Sequence, residues 1–267
     1  MKKMFSLSSH KKYFLFLVVM SAAVIAVVFP IPSALAGKSE GSGPTGVILA
    51  TGFEPFGKDK VNPSHEVVKK LPDEIEGWKV VKLEVPVTWD HTKGTSSVKT
   101  ITDAIEQYRP NVVLMSGQHG FFTGLAIEKQ GTNRQSKMKD NSGVAGRGGK
   151  DTALLKLDPG AQAVYRTTTP NEKMVTAAQN AGVSAFLNNN PGDYICNHVI
   201  YRVGYYLSKR NQGSGKPILY GFIHTPFLPT QPGGVQPNAK KMSLDKMVKG
   251  YEAAIEAIIS EAETTRR

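Results

Sequence analysis

GVILATG (46–52) is a short apolar run closed by glycine, and the polar loop FEPFGKDKV (53–61) follows at once. A run of this length bounded by turn residues reads as a strand buried on both faces. Asn62-Pro63 then starts a helix, with Asn as cap and Pro at the first helical position. That helix runs to about Leu71 and turns Val67, Val68 and Leu71 inward. The same apolar strand signal returns at NVVLMSG (111–117), VSAFLNN (183–189) and ILYGFIH (218–224). KVVKLEVPV (79–87) alternates like a strand, and VYRTTT (164–169) is a weaker one.

Helical periodicity falls between these runs. It covers about 93–108, with Val98, Ile101, Ala104, Ile105 and Tyr108 in phase. It covers about 171–181, closed by Gly182, and CNHVIYRVGYYLS (196–208). The last segment, Leu244–Glu263, places Leu244, Met247, Val248, Tyr251, Ile255, Ile258 and Ile259 on one face behind a Ser243 cap. Strands alternating with helices define the expected fold: a three-layer α/β/α sandwich with a mainly parallel, mixed central sheet. Residues 46–265 read as a single domain. Residues 118–160 carry weak signals, and a stretch this long is functional or hides short strands.

The amino terminus is of another kind. Lys2, Lys3, Lys11 and Lys12 precede an apolar run from Tyr13 to Phe29, and Ser33-Ala34-Leu35-Ala36 follows. A basic start, an apolar stretch and an Ala-x-Ala end are the parts of a secretory signal. Residues 1–36 are expected to be a signal peptide cut near Ala36, residues 37–45 a flexible linker, and the product exported to the periplasm or medium. The apolar run is near the lower length limit for a membrane span, so no stable membrane association is expected after cleavage.

The full chain of 267 residues carries a formal charge of +11, and removal of the four signal lysines leaves +7. The remaining bases are scattered, with no basic block interleaved with aromatics, which argues against a nucleic-acid partner. A single cysteine, Cys196, rules out an internal disulfide and multi-cysteine metal sites. No H-E-x-x-H and no G-x-S-x-G is present. No metal and no cofactor is expected.

In open α/β sheets, sites gather at the carboxyl ends of strands. Gln118-His119-Gly120 and then Glu128 follow the run 111–117, Cys196 follows 183–189, and His224 ends 218–224. Cys196 stands at an expected helix start, where unpaired N–H groups favour thiolate over thiol. Thiolate, imidazole and carboxylate together suit nucleophilic acyl transfer. From spacing alone, a buried structural cysteine is the default reading.

GFEPFG (52–57), VNPSHEVV (61–68), GQHG (117–120), Glu128 with Asn133, DYICNHV (193–199) and GFIHTPFLPTQ (221–231) together resemble the cysteine-type pyroglutamyl peptidases, in order and approximate spacing. The resemblance implies a thiol exopeptidase that releases amino-terminal pyroglutamate through a thioester. It implies Cys196 as nucleophile, His224 as base and Glu128 as orienting acid. It also implies Phe53, Phe56, Gln118, Tyr194 and Ile195 as pocket residues for a flat, uncharged lactam. The implied partners are peptides with amino-terminal pyroglutamate, and relatives often form homo-oligomers.

Three places depart from the family pattern. His119-Gly120-Phe121-Phe122 stands where small residues and an arginine are usual, Lys129-Gln130 follows Glu128 in place of Arg-Val, and SKMKDN (136–141) has no arginine. Lys137 or Lys139 can restore charge there but not a bidentate fork. These departures bear on rate and substrate preference. They motivate two alternatives: a non-catalytic binder of lactam ligands, or the same triad acting on another acyl amide. His198 reads as structural, His119 as a solvated loop residue.

Overall fold

A computed structural model describes residues 44–150, 154–155, 158–212, 216–232 and 240–265. The expected signal peptide and the linker up to residue 43 lie outside the described residues. The strands are β1 (Gly46–Phe53), β2 (Glu74–Ile75), β3 (Trp78–Val85), β4 (Val112–Gln118), β5 (Leu125–Glu128), β6 (Gln130–Thr132), β7 (Val164–Arg166), β8 (Ala185–Asn188) and β9 (Leu219–Thr225). The helices are α1 (Pro63–Lys70), α2 (Ser97–Tyr108), α3 (Asn171–Asn180), α4 (Ile195–Arg210) and α5 (Leu244–Thr264).

Seven strands form the main sheet in the order β2-β3-β1-β4-β9-β5-β8. β3, β1, β4 and β9 run parallel, β5 runs antiparallel to β9, and β8 runs parallel to β5. The sheet is mixed and mostly parallel, as read from the sequence. One face packs against α1, α3 and α5 through Val67, Val68, Met174, Tyr251 and Ile255. The other packs against α2 and α4 through Ile101, Ile105, Val199, Val203 and Leu207. β1, β4 and β9 have no polar face because each is covered on both sides by helices, whereas β8, at the sheet edge, leaves Leu187 exposed.

Local chemistry sets the helix starts. Asn62, Ser96 and Ser243 each accept a backbone N–H of the first turn, contacts that contribute about 1 kcal/mol apiece. Tyr108, in phase with the buried face of α2, is 39% exposed. It is the last residue before Arg109 turns left-handed, so the chain leaves the sheet there.

The weakly patterned stretch 118–160 hides short strands, one of the two readings the sequence allowed: β5, a full member of the main sheet, and β6. β7, the start of VYRTTT, pairs with β6 in a separate two-stranded sheet. Among the described residues no helix is long and apolar enough to cross a membrane.

Candidate active site

Side chains alternate along β9. Tyr220 and Phe222 belong to the core beneath α2 and α4, so His224, two residues on, points to the same face. Across the antiparallel step, Glu128 lies opposite Phe222 and Ala126 opposite His224. Opposed residues share a face, and a diagonal neighbour is within reach of a long side chain. Glu128 takes that diagonal: its Oε1 lies 2.6 Å from His224 Nδ1.

Both groups are sealed, with Glu128 fully buried and His224 1% exposed. A buried carboxylate needs several partners. Asn188, paired with Glu128 in register on β8, supplies them through Nδ2, 2.9 Å from Oε1 and 3.0 Å from Oε2. Asn188 is a site residue that the sequence reading missed. A surface pairing of Glu128 with Lys129 is ruled out, since Lys129 faces Glu172 at 4.0 Å.

Cys196 is the second residue of α4, the helix lying on this face. The helix start carries no side-chain cap from Tyr194, and its first ladder bond runs from the His198 N–H to the Tyr194 carbonyl. The amides of residues 195–197 therefore have no acceptor within the helix. With Nδ1 of His224 committed to Glu128, Nε2 is left for the sulfur of Cys196. Burial opposes charge on His224. The attraction of Cys196, the hydrogen bond to it, and then the bond to Glu128 outweigh burial and raise the imidazole to about 9.

Gly117, the register partner of His224 on β4, makes room for this sulfur. A Cβ there would come within 2.7 Å of Cys196 Sγ and 2.9 Å of the Phe222 ring. The glycine that closes the run 111–117 thus has a packing role at the site.

The residues expected to line a pocket gather beside the sulfur. Phe53 and Ile195 are buried in the cluster that contains Cys196, with Phe56 and Tyr194 at its edge. The Phe56 and Tyr194 rings lie 5.2 Å apart, and Tyr194 meets Trp89 edge-on at 5.4 Å. Gln118 is held from two sides, donating to Asp59 at 3.1 Å and accepting from Gln231 at 3.0 Å. The loop that departs from the family pattern closes over Tyr194, whose hydroxyl donates to the Lys139 carbonyl at 2.9 Å. Lys137 and Lys139 are themselves exposed.

His119 is not a solvated loop residue. Its ring stacks on Phe122 at 3.9 Å and meets the edge of His224 at 5.1 Å. Burial, then the neighbouring His224, lowers it to about 4 and keeps it neutral at working pH. His198 is structural, as read: buried, with Nε2 3.2 Å from Asp90 Oδ1. It ties α4 to the Trp89 wall of the site.

This fold and site belong to a cysteine peptidase, and the comparisons with known proteins give its family. The sequence model of pyroglutamyl peptidase matches residues 47–261. The chain is 42% identical to the pyrrolidone-carboxylate peptidase of Lactobacillus acidophilus, over 79% of this chain and 98% of that one. It is 41% identical to that of Treponema denticola, over 79% and 93%. Among solved structures, pyroglutamyl peptidase I from Bacillus amyloliquefaciens aligns with a TM-score of 0.69 at 28% identity, covering 80% of this chain and 94% of the other. A mutant pyrrolidone carboxyl peptidase from Pyrococcus furiosus aligns at 0.70 and 26%, over 81% and 99%. The chain belongs to the pyroglutamyl peptidase family.

Proposed function

We propose that this protein releases amino-terminal pyroglutamate from peptides with Glu128, His224 and Cys196 as its catalytic set. The supporting observation is the placement of His224 between a buried, doubly hydrogen-bonded Glu128 and the Cys196 sulfur at an uncapped helix start.

In this reading the Cys196 thiolate attacks the pyroglutamyl carbonyl carbon. The oxyanion that forms faces the helix-start amides, which lie at fixed dipoles and need no reorganisation. The C–N bond breaks as the His224 imidazolium gives its Nε2 proton to the leaving amine. A thioester remains on Cys196. Water then adds to that carbonyl, losing its proton to His224, and pyroglutamate leaves as the thiolate returns. Glu128 holds the Nδ1–H tautomer and balances the imidazolium charge. Phe53, Phe56, Tyr194 and Ile195 form apolar walls for a flat lactam with no amino charge, and Gln118 supplies a polar edge.

The test is release of a fluorescent amine from its pyroglutamyl amide by the mature protein under reducing conditions. Turnover excludes the alternative of a non-catalytic lactam binder. Absence of turnover, with binding seen by calorimetry, would support that alternative. A panel of other acyl amides separates pyroglutamate specificity from a broader acyl-amide activity.

Two further results are expected. The kcat/KM of the native protein falls as pH rises through about 9, because a neutral His224 has no proton for the amine. A flat profile to higher pH would contradict the His224 assignment. Gly117→Ala lowers kcat about 100-fold while KM changes less, because its methyl occupies the place of the sulfur. Wild-type kcat in that variant would mean that the sulfur is not held against β4.

Export is also proposed, from the basic, apolar and Ala-x-Ala segments of residues 1–36. Amino-terminal sequencing of the protein expressed in its host tests it. Gly37 at the start of protein recovered outside the cytoplasm is expected, and an intact Met1 on cytoplasmic protein contradicts it.

A further inference from the structure

The turn after β4 places the His119 and Phe122 rings beside the catalytic imidazole, with Phe121 against His119; Phe122 reaches Phe186 of β8, whereas Phe53 of the expected lactam pocket stands on β1, on the other side of β9 in the sheet. His119 stacks on Phe122, and the two rings lie 5.1 Å and 5.8 Å from His224. Phe122 is braced from behind by Phe186 of β8 at 5.4 Å. Phe121 lies 5.7 Å from His119 and is 71% exposed. The Phe121 N–H donates to His119 Nδ1 at 3.3 Å, and the His119 N–H donates to the Thr225 carbonyl at 2.8 Å. The rings are therefore carried on a turn pinned to the end of β9, the strand that bears His224.

A phenylalanine this exposed, one ring away from the catalytic imidazole, presents apolar surface to water with no gain to the core. On the proposed reaction, the leaving nitrogen must come within hydrogen-bond reach of His224 Nε2 to receive its proton. The residue that carries this nitrogen then has its Cα one bond away, and its side chain lies within a few ångströms of the imidazole. Phe53, Phe56 and Tyr194 take the acyl side of the scissile bond. The His119 and Phe122 rings border His224 on the β8 side, with Phe121 next to His119. The turn between Gln118 and Gly124 carries no Asp, Glu, Lys or Arg, and burial beside His224 keeps His119 neutral, so its surface matches an apolar group and offers no partner to a charge.

We propose that His119, Phe121 and Phe122 form a subsite for the residue following pyroglutamate, selecting peptides in which that residue is large and apolar. The proposal rests on the pyroglutamyl-peptidase reading of the site. Phe121 is the specificity-determining contact, since it is the ring that gains cover when the substrate binds, while His119 and Phe122 set the floor.

The experiment compares kcat/KM for unmodified peptides pyroglutamyl-Phe-Ala and pyroglutamyl-Gly-Ala, read as pyroglutamate released, in native protein, Phe121→Ser and Phe121→Leu. The native ratio is expected at about tenfold or more in favour of Phe, the size of discrimination that an apolar contact gives. Phe121→Ser brings the ratio towards one, and Phe121→Leu restores most of it. Phe121 is exposed, so both variants are expected to fold, and a thermal melt checks this. A native ratio near one, or a ratio unmoved by Phe121→Ser, overturns the subsite while leaving the activity standing. If the melt and sedimentation show that Phe121→Ser only splits an oligomer and leaves the ratio intact, the ring belongs to an interface between copies and the proposal fails. No pyroglutamate from either peptide defeats the functional reading beneath it.

Discussion

Cys196→Ala is expected to lower kcat/KM on a pyroglutamyl substrate by about six orders of magnitude, the scale seen when a nucleophile acting as part of a unit is removed. The size follows from the covalent route. Without the sulfur, water must attack the amide directly, and the site retains only orientation and its amides. Cys196→Ser tests the chemistry more finely, since it keeps a nucleophilic atom in nearly the same place. Its hydroxyl is not ionised by one imidazole at neutral pH, so turnover is again expected to collapse. Sγ rests against Gly117, and Cys196 lies at the edge of its core cluster. Shortening it by one atom therefore leaves the fold in place, which a thermal melt and circular dichroism verify. Residual activity near native in either variant would assign the nucleophile elsewhere.

Glu128→Gln is expected to cost about 10⁴-fold in kcat, although the side chain keeps its shape. Asn188 Nδ2 donates to both Glu128 oxygens and to the Asn190 carbonyl. A Gln there must turn its amide N–H₂ away from that donor and towards His224 Nδ1. The imidazole then carries its proton on Nε2 and cannot accept one from the thiol. The variant also loses the carboxylate charge that helps to raise His224, so the imidazole titrates at lower pH than its native value of about 9. Kinetics across pH should therefore show a lower plateau and an alkaline limb displaced to lower pH. An unchanged limb would mean that Glu128 does not bear on His224. Because Glu128 is fully buried, its removal as Glu128→Ala strands both His224 and Asn188 and is expected to cost stability as well.

The parts of this site that were legible in the sequence are those written in local pattern. β1, β4 and β9 are apolar runs bounded by turn residues, and such a run in a covered sheet has few alternatives. The position of Cys196 at a helix start follows from the end of the apolar run 183–189 before it and the helical periodicity of 196–208 after it. β5 was not legible, because LAIE (125–128) is four residues in a glycine-rich stretch with no alternation to read. Its antiparallel course past β9 is a tertiary fact, and it is this course that puts Glu128 diagonal to His224. The sequence therefore offered Glu128 as a candidate without showing how it reaches the imidazole. Asn188 was hidden for a similar reason: it is one of three consecutive asparagines, and only the β5–β8 register singles it out. His119 looked like a loop residue because its partners, Phe122 and His224, meet it only when the turn folds back on β9. Tyr108 shows the opposite case, a residue in helical phase whose helix ends before the sheet can cover it.

The account depends most on the sulfur of Cys196 carrying the acyl group, and mass spectrometry of protein quenched in acid during turnover tests this directly. A pyroglutamyl group on the peptide that contains Cys196, formed and lost at the rate of turnover and missing from Cys196→Ala, is the predicted result. Pyroglutamate released by Cys196→Ala at the native rate, or an acyl group found on a different residue, would contradict it.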